Sequence, residues 1–327
     1  MGKVLSVTEA VNVLLKGQIV GLPTETVYGL GADATNEAAI AEVFKAKNRP
    51  SFDPLIVHVP TLDAVKEIAE LSEAAEQLFL AFSPGPLTVV LPKKNTIPDL
   101  VTSGHATVAV RIPAHPVMLE VLQSSGLYIA APSANPFGFA SPTTAQHVLD
   151  QLGSIISGVV DGGPCSVGIE STIVDMSSDA PKVLRLGGMA LEQLERVLGG
   201  ITTELSSSNP SAPGMLTSHY NPGTPLELFD DRDALLTALK SNSNPNGIGI
   251  LYWGETIAHG SSFNLSELKS DSEAAWAAVT TNDFCVTSLA ASVAHEAASV
   301  LAFLVGALVR AIRAGKGSAG RAGGADP

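Results

Sequence analysis

An apolar stripe at helical spacing marks the start of the chain, over residues 7 to 15. Ser6 precedes the stripe and Glu9 follows three residues later, which is the sequence signature of a capping box. Gly17 lies just past the last apolar position, where glycine typically ends a helix. The pattern therefore predicts that the chain opens with a helix.

A second stripe begins near residue 36 and contains Ile40, Val43, Phe44 and Lys47, spaced at i, i+3, i+4 and i+7. Lys47 takes the last position of a stripe whose other members are apolar. Because the apolar members face the core, this spacing predicts that the Lys47 side chain points inward.

Short runs rich in β-branched residues follow, and each has the length of a strand. They are PLIVHV (54–59), LTVVLP (87–92), TVAVRIP (107–113), LYIAAP (127–132), GVVDGG (158–163), STIVDM (171–176) and KVLRL (182–186). Helical patterns separate several of them, at 62–70, 72–82, 116–124, 143–152 and 190–198. Strands mixed with helices, some strands joined directly, predict an α/β domain of α+β-like character with a mixed sheet over residues 1–200.

Residues 201–225 are dense in Ser, Pro, Gly and Thr, a composition typical of an interdomain linker. The segment also carries Met215, His219 and Tyr220, which a plain spacer does not need, so we expect it to fold over a site as a lid. Beyond it, strand patterns at 226–229 and 247–253 flank a helical pattern at 232–240. Residues 226–327 are therefore predicted to form a second, smaller α/β domain.

Bulk composition agrees with two domains and limits the classes of function. The 327 residues exceed the size at which one core usually stops growing. A net charge of −13 argues against a broad basic surface for nucleic acid, so any anion site must be local. Cys165 and Cys285 alone form neither a disulfide framework nor a metal or redox motif, which favours a reducing, cytoplasmic location.

The stretch GLGADA (29–34) matches the pattern G-x-G-x-x-A, and Asp53 follows about 20 residues later, as in a dinucleotide-binding turn. Such a turn should come directly off a hydrophobic strand, whereas the polar stretch PTETVY (23–28) intervenes here. We therefore favour the interpretation that these glycines form a tight loop.

Lys47 and Arg49 lie just before Pro50, and the stretch PSANPFGFASPTTAQ (132–146) supplies Ser133, Asn135 and Ser141 after a predicted strand. Loops that leave strands are where α/β folds bind ligands, so these side chains predict a polyphosphate cradle. The alternative is that the two cations only complement a helix C-terminus.

Several other polar residues have simpler alternative explanations. Arg111 and Arg185 end apolar strands and could be solvated there, Glu170 could be a rim charge, and His58 could be a half-buried strand residue. The histidines form neither HxH nor HExxH, and GxSxG is missing. Neither a zinc site nor a covalent nucleophile is therefore predicted.

Taken together, the motifs resemble one family, the YrdC-like threonylcarbamoyl-AMP synthases in their long form with a C-terminal extension domain. The resemblance covers residues 18 to about 222 and rests on PTETVYGLGADA, KNRPSFDPLIVHV, SPGPLTVVL, VAVRIPAHP, APSANPFGFASPT, DGGPCSVGIESTIVD, VLRLGG and SAPGMLTSHYNP. It implies a twisted mixed sheet with a large cavity, followed by a smaller Rossmann-like domain. After about residue 268 the chain no longer follows the family pattern.

The resemblance also implies an activity, that of an L-threonylcarbamoyladenylate synthase. Members combine L-threonine, bicarbonate and ATP, with Mg²⁺ accompanying ATP, to form threonylcarbamoyl-AMP and diphosphate. The product passes to the tRNA threonylcarbamoyl transferase machinery, which modifies an adenosine beside the anticodon.

By the same resemblance, two groups of residues hold the substrates. Threonine would be bound by Thr26, His58, Arg111, Ser171 and the backbone of Ala131. ATP would be bound by Lys47, Arg49, Asp53, Thr107, Ser133, Asn135, Ser141, Arg185 and Tyr220, with Lys47 and Arg49 also catalytic. Asp53 stands where the family usually has Asn, which replaces an amide donor by a carboxylate.

Two other functions stay open at this point. One is an RNA-binding module without turnover, which the acidic net charge disfavours. The other is a carbamoyl-adenylate-forming transferase of hydrogenase maturation, whose zinc-finger segments would need more than two cysteines.

Overall fold

The structure is a computed structural model, and it describes residues 2–139, 141–178, 180–205, 207, 210–215, 228–229, 232–241, 250–252, 262–264 and 285–287. The chain divides into two compact units, Met1–Leu216 and Thr217–Pro327. The division falls inside the segment 201–225 that we predicted as a linker. The predicted domain boundaries at 200 and 225 stay predictions.

The first unit alternates short strands with helices. Its helices are α1 (Val7–Leu15), α2 (Glu37–Lys47), α3 (Leu62–Ile68), α4 (Glu73–Phe82), α5 (Asp99–Thr102), α6 (Pro116–Ser125), α7 (Ala145–Leu152) and α8 (Leu191–Leu198). Its strands are β1 (Val4–Leu5), β2 (Val20–Leu22), β3 (Gly29–Asp33), β4 (Ile56–His58), β5 (Leu87–Pro92), β6 (Thr107–Arg111), β7 (Ile129–Ala130), β8 (Val159–Val160), β9 (Thr172–Asp175), β10 (Lys182–Arg185) and β11 (Thr202–Thr203).

These strands form one mixed sheet in the order β1-β8-β2-β3-β7-β4-β6-β5-β9-β10-β11. At its centre β4 pairs parallel with β6, and β6 pairs antiparallel with β5. Next to them β5 pairs parallel with β9, whereas β9 and β10 are antiparallel. The predicted fold class, α/β with a mixed sheet, is confirmed.

The local helix signals are realised as predicted. Ser6 caps α1, and Glu9 reaches back to the Ser6 backbone, so the capping box is complete. Asn36 caps α2 by accepting two backbone N–H groups, and Asn48 ends that helix in the left-handed conformation. Lys47 is buried, in agreement with the stripe that predicted it to face inward.

The tight-loop interpretation of GLGADA is wrong, because Gly29–Asp33 is strand β3. β3 pairs antiparallel with β2, so this stretch is not a dinucleotide-binding turn between a strand and a helix either. The glycines serve close packing: a Cβ on Gly31 would lie 2.7 Å from Leu22 Cδ1, and one on Gly29 would lie 3.0 Å from Ala131 Cβ.

The two faces of the sheet have different roles. Val57, Val108 and Val110 belong to the main core, in which buried residues of α2, α3, α4, α7 and α8 also take part. Ile56 and Ala109 alternate with them and face the other side, in a small cluster with Ala212 and Met215. His58 and Arg111 continue this second face by the same alternation, so the strands place both side chains above the sheet and away from the main core.

A third cluster joins α1 and α6 to β2 and β7. The second unit contains β12 (Leu228–Phe229), α9 (Arg232–Ser241), β13 (Ile250–Tyr252), β14 (Ser262–Asn264) and β15 (Cys285–Thr287). Its strands are all parallel, in the order β12-β15-β13-β14. None of the helices in the described part of the chain has the length and apolar content that a bilayer crossing needs.

Candidate functional site

A turn between β2 and β3 forms one wall of the candidate site. The Thr24 hydroxyl accepts the backbone N–H of Thr26 and of Val27, each at 3.2 Å, and donates to Val27 O at 2.6 Å. This local hydrogen-bonded turn fixes the direction of the side chains that follow it. Glu25 and Thr26 are thereby held in buried positions.

Arg111, at the end of β6, reaches this turn and is only 3% exposed. Its Nη1 donates to Thr26 Oγ1 at 2.8 Å, and its Nη2 donates to Glu25 Oε1 at 2.7 Å. Burial tends to raise the pKa of Glu25, but the charge and the hydrogen bond of Arg111 outweigh it, so the pKa lies below its ordinary value. The alternative that Arg111 is a solvated strand end is wrong.

His58 lies beside Arg111 in the neighbouring strand and is buried rather than half-buried. Its Nδ1 has no hydrogen-bond partner among the described residues. Burial, and then the positive charge of Arg111, lower the pKa of the His58 imidazole to about 3. The imidazole is therefore neutral near neutral pH, and Nδ1 is free to bond a ligand.

Lys47 begins a second cluster, at the end of α2. Its Nζ donates to Ser133 O at 2.6 Å and to Asn135 O, so the ammonium sits under the loop that follows β7. Burial, and then the charge of Arg49, hold the pKa of Lys47 well below its ordinary value. Because its partners belong to another loop and not to the last turn of α2, the helix C-terminus alone does not explain this lysine.

Arg49 and Asp53 form a buried ion pair. Arg49 Nη2 lies 2.9 Å from Asp53 Oδ2, while Nε and Nη2 also donate to Asp53 O at 3.1 Å and to Pro54 O at 2.9 Å. Burial raises the pKa of the Asp53 carboxyl, and the charges of Arg49, Lys47 and Arg185 oppose that rise. Asp53 therefore lies within the electrostatic reach of three cationic groups.

The loop after β7 supplies polar groups to this second cluster. Asn135 Nδ2 donates to Pro136 O and Phe139 O, both at 2.8 Å, and its buried Oδ1 has no hydrogen-bond partner in the described part of the chain. The Ser141 hydroxyl donates to Glu170 Oε1. Glu170 is 6% exposed, so the interpretation as a rim charge is wrong.

Arg185 and Ser171 complete the second cluster. Arg185 Nε and Nη2 donate to Ser171 O at 3.0 and 2.9 Å, and Nη2 also donates to Ser171 Oγ at 3.0 Å. The Ser171 hydroxyl in turn shares a 2.7 Å hydrogen bond with Thr88 Oγ1. Arg185 is buried, so the alternative of a solvated strand end is also wrong here.

A backbone segment ties the two clusters together. Val167 N donates to Glu25 O at 2.8 Å, and Gly168 N donates to Thr26 O at 3.0 Å. The same segment continues into Glu170 and Ser171. The turn that contacts Arg111 and the residues that contact Arg185 are therefore parts of one hydrogen-bonded site.

Two of the predicted residues that the structure describes make no side-chain hydrogen bond to these clusters, and one lies outside the described residues. Ala131 is buried, and its backbone N–H donates to Ile56 O at 3.0 Å. Thr107 opens β6, at the end opposite to Arg111, and makes no side-chain hydrogen bond to the other described candidates. Tyr220 lies outside the described residues, as does His219 of the predicted lid.

Sequence reasoning did not identify Glu25, Glu170 and Thr88 as members of these networks. Glu25 lies inside the motif that suggested Thr26, so its position was a usable signal, whereas nothing local marks Thr88. In the part of the chain that the structure describes, there is no group of three or more His, Cys, Asp or Glu residues that could hold a metal ion.

The buried charges of the first unit are concentrated in this site. All Lys, Arg, Asp and Glu residues that are buried among the described residues belong to the two clusters: Glu25, Lys47, Arg49, Asp53, Arg111, Glu170 and Arg185. Burying a charge is unfavourable unless it is paired, so proteins concentrate such groups where function needs them. The arrangement suits an anionic ligand beside a small polar one.

Comparison with known proteins gives two family matches. Residues 12–187 match the Sua5/YciO/YrdC model, described as "Telomere recombination". Residues 189–284 match the model described as "Threonylcarbamoyl-AMP synthase, C-terminal domain".

Curated relatives carry one recurring name. The chain is 44% identical over 230 residues to the threonylcarbamoyl-AMP synthase of Bacillus subtilis, which covers 68% of this chain and 66% of the relative. It is 44% identical over 219 residues to the Pyrococcus abyssi protein of the same name, covering 65% of this chain and 64% of that relative. The chain therefore matches slightly less than two thirds of the length of these relatives.

A solved structure extends the likeness over both units. The crystal structure of P. abyssi Sua5 complexed with L-threonine matches with a TM-score of 0.84 and 33% identity. The match covers 93% of this chain and 94% of that one.

Proposed function

Since the chain belongs to the Sua5/YciO/YrdC family, in the long form with the C-terminal domain, we propose that it is an L-threonylcarbamoyladenylate synthase. It would form threonylcarbamoyl-AMP and diphosphate from L-threonine, bicarbonate and ATP. The observation that supports this most strongly is the concentration of every described buried charge in two joined clusters. One cluster suits a small amino acid and the other suits a polyphosphate.

On the amino-acid side, Arg111 is the group that would face the threonine carboxylate. A guanidinium binds a carboxylate through two parallel hydrogen bonds, and Arg111 now uses both of its terminal nitrogens on Thr26 and Glu25. A bound threonine would therefore share Arg111 with Glu25 or displace one of these contacts. The neutral His58 Nδ1 and the Thr26 hydroxyl would bond the polar groups of the amino acid.

The reaction needs no nucleophile from the protein. The threonine amine loses a proton and adds to carbon dioxide derived from bicarbonate, which gives a carbamate. A carbamate oxygen then attacks the α-phosphorus of ATP, and diphosphate leaves. Catalysis would consist of positioning the two substrates and of neutralising phosphate charge with Lys47 and Arg49.

Burial disfavours the charged form of Lys47 in the absence of an anion, so this lysine should respond to a bound phosphate. A phosphate close to Nζ would favour the charged form of the lysine and oppose the effect of burial. Arg49, Arg185 and the hydroxyl of Ser141 would supply further donors to the phosphates, with Ser133 and Asn135 in the same loop.

The residues present fit a magnesium ion bound together with ATP. Mg²⁺ prefers carboxylate, phosphate and water oxygens. Asp53 supplies a buried carboxylate, and its Oδ2 lies 2.9 Å from Arg49 Nη2. We propose that Asp53, together with the phosphates of ATP, would hold the ion, which would neutralise phosphate charge when bound.

The wider role would be the supply of threonylcarbamoyl groups for adenosine in tRNA, in the cytoplasm. The product is an adenylate that a transferase must consume, so a handover to that machinery follows from the proposed chemistry. The net charge of −13 disfavours direct tRNA binding by this chain.

The test is diphosphate release by the full chain with Mg²⁺, ATP, L-threonine and bicarbonate, each omitted in turn. We expect release only when both threonine and bicarbonate are present, because the carbamate forms from both. Release at the same rate with ATP alone contradicts the proposal. Binding of tRNA without any turnover would support the RNA-binding module.

A further inference from the structure

Two of the exposed apolar side chains belong to loops that carry residues of the second buried cluster. Large apolar side chains that are exposed among the described residues are Val4, Leu15, Phe52, Leu80, Phe139 and Ile155. Phe52 is 53% exposed and lies between Arg49 and Asp53 in the chain. Phe139 is 63% exposed and lies between Asn135 and Ser141.

The two loops that carry these phenylalanines contact each other through the cationic residues. The Phe137 ring lies under the Arg49 guanidinium, with Arg49 Cζ 5.9 Å from the ring centroid. The Phe137 backbone N–H donates to Lys47 O at 2.7 Å. The loop of Phe139 is therefore joined to the segment that leads from Lys47 to Phe52.

Both loops are held by their own hydrogen bonds, so the exposure of the rings does not come from loose backbone. Arg49 Nε donates to Asp53 O at 3.1 Å and closes the turn around Phe52. Phe139 is fixed at both backbone groups: its N–H donates to Pro136 O at 3.1 Å, and its carbonyl accepts Asn135 Nδ2 at 2.8 Å.

A nucleotide contains an aromatic base and a phosphate chain, which could bind an aromatic side chain and a neighbouring cationic cluster. In ATP the base is separated from the phosphates by the ribose alone, so phosphates at Lys47 and Arg49 bring the base close to the rim of this cluster. Every base has a flat π-face, so stacking on an aromatic side chain depends little on which base is present. Single exposed apolar residues are common on protein surfaces, whereas two phenylalanines on loops that contact each other could form a binding surface.

We propose that Phe52 and Phe139 form an aromatic rim that binds the base of the nucleotide whose phosphates lie at Lys47 and Arg49. This proposal rests on the nucleotide chemistry of the proposed function. It assigns a contact by stacking, so the rim contributes to the affinity for any nucleoside triphosphate and does not itself select adenine.

The experiment compares a nucleotide with the same phosphate chain lacking a base. Calorimetric titration of the full chain measures the dissociation constants of Mg²⁺-bound ATP, GTP and inorganic tripolyphosphate. The variants are Phe52→Ala, Phe139→Ala and the double substitution. Leu80→Ala is the matched control, because Leu80 is a 70% exposed apolar residue on α4.

We expect the double variant to bind ATP and GTP at least about fivefold more weakly and tripolyphosphate unchanged, since the loss of base stacking starts at about that size. Leu80→Ala should match the unaltered chain. Phe139→Leu, which keeps apolar volume without the ring, should fall between Phe139→Ala and the unaltered chain.

Three results of the titrations would contradict the proposed aromatic rim. These are equal weakening of ATP and tripolyphosphate, unchanged ATP affinity in the double variant, and an unaltered chain that binds ATP no better than tripolyphosphate. A loss of self-association in sedimentation with unchanged ATP affinity would assign the phenylalanines to contact with a second copy and would also overturn it. A chain that binds neither ligand contradicts the proposed function itself.

Discussion

Lys45 and Lys47 lie two residues apart on α2 and show how burial separates the roles of identical side chains. Lys45 is exposed and pairs with Glu42 on the same helix, whereas Lys47 is buried and bonded to two carbonyls of another loop. An exposed pair of this kind contributes little to stability. Lys47 and Arg49 are therefore the cations whose loss should affect chemistry.

Substituting Lys47→Ala or Arg49→Ala should each remove about 1.5–3 kcal/mol of binding or transition-state stabilisation, the usual scale for a hydrogen bond to a charged group. That corresponds to a fall in kcat/KM for diphosphate release of about 10-fold to 150-fold. Lys45→Ala is the control and should keep the original kcat/KM. A change smaller than about twofold in either variant would remove that residue from the phosphate site.

His58 should make stability depend on pH in a defined window. Its pKa is about 3 in the folded chain and 6.5 as an ordinary value, so between these pH values the unfolded chain binds a proton that the folded chain does not. The contribution of neutral His58 to the free energy of unfolding is therefore complete above pH 6.5 and is lost as the pH falls toward 3. The raised pKa of Asp53 stabilises the folded chain as the pH falls, which opposes the effect of His58. The contribution of His58 is therefore obtained by comparing the unaltered chain with a His58 variant.

The measurement is the free energy of unfolding of the unaltered chain and of His58→Gln, by denaturant titration at several pH values from 3 to 7. We expect the difference between the two chains to change across this window, with the variant less sensitive to acid. Parallel pH profiles for the two chains would show that His58 does not stay neutral when buried.

At the residue scale, the sequence predicted inward-facing residues only where the signal was local. Lys47 was identified because it continues an apolar stripe within its own helix. Arg111 was not distinguishable from a solvated strand end, because its partner Thr26 is 85 residues away along the chain. Burial of Glu170 likewise depends on Ser141, 29 residues earlier, so no short pattern could reveal it.

At the scale of elements, the longer helices were predicted closely, because caps and periodicity are contained in a few neighbouring residues, whereas the four-residue α5 was not predicted. Strand β3 was missed for the opposite reason. Gly29 and Gly31 suggested a loop, whereas β2 and residues near β7 pack so closely on this strand that side chains would not fit. The need for glycine there is set by partners that lie elsewhere in the sequence.

The segment 210–215 is the element that connects the predicted linker to the site. Ala212 and Met215 are buried in the cluster on the site face of the sheet, and Pro213 O accepts Arg185 Nη1 at 3.4 Å. Gly214 has φ of +90°, and a Cβ placed there would lie 2.8 Å from Arg185 Cδ. This segment therefore packs directly against a predicted ATP-binding arginine.

Gly214→Ala should accordingly displace Arg185 and weaken ATP binding. Separately, a residue other than glycine in the left-handed region should cost about 1 kcal/mol of stability. Gly104→Ala is the matched control, because Gly104 has φ of +80° and no atom within 4 Å of the added Cβ. We expect both variants to lose stability in thermal unfolding, but only Gly214→Ala to raise the dissociation constant of ATP. Equal ATP affinity in the two variants would show that Arg185 tolerates the added methyl group.

At the scale of the whole molecule, the chain is acidic, and the buried cations among its described residues all lie in one site. A net charge of −13 argued against a broad basic surface for nucleic acid, and the sequence still indicated a local cradle because Lys47 and Arg49 lie together. Composition and length also predicted two domains, and the structure divides the chain into two compact units. The exact role of the segment between 200 and 225 could not follow from composition, since its packing depends on the sheet face that it contacts.

The described core clusters all lie within residues 1–215, so the first unit should fold without the second. A chain that ends at Leu216 should unfold cooperatively. A chain that ends at Gly200 loses Ala212 and Met215 from the site-face cluster and the Pro213 carbonyl from Arg185. Removing a buried methionine side chain costs at least about 2 kcal/mol, so the Tm should fall by at least about 4 °C relative to the chain ending at Leu216.

A third chain, ending at Pro225, separates this packing from the predicted lid, because it adds back His219 and Tyr220. If the lid prediction is right, this chain should release or hydrolyse its adenylate more slowly than the chain ending at Leu216, since a closed site excludes water. Calorimetry gives the Tm of each chain, and rapid-quench assays of bound adenylate give the rate of hydrolysis. Equal Tm values for the chains ending at Gly200 and Leu216 would contradict the packing role, and equal hydrolysis rates for those ending at Leu216 and Pro225 would contradict the lid.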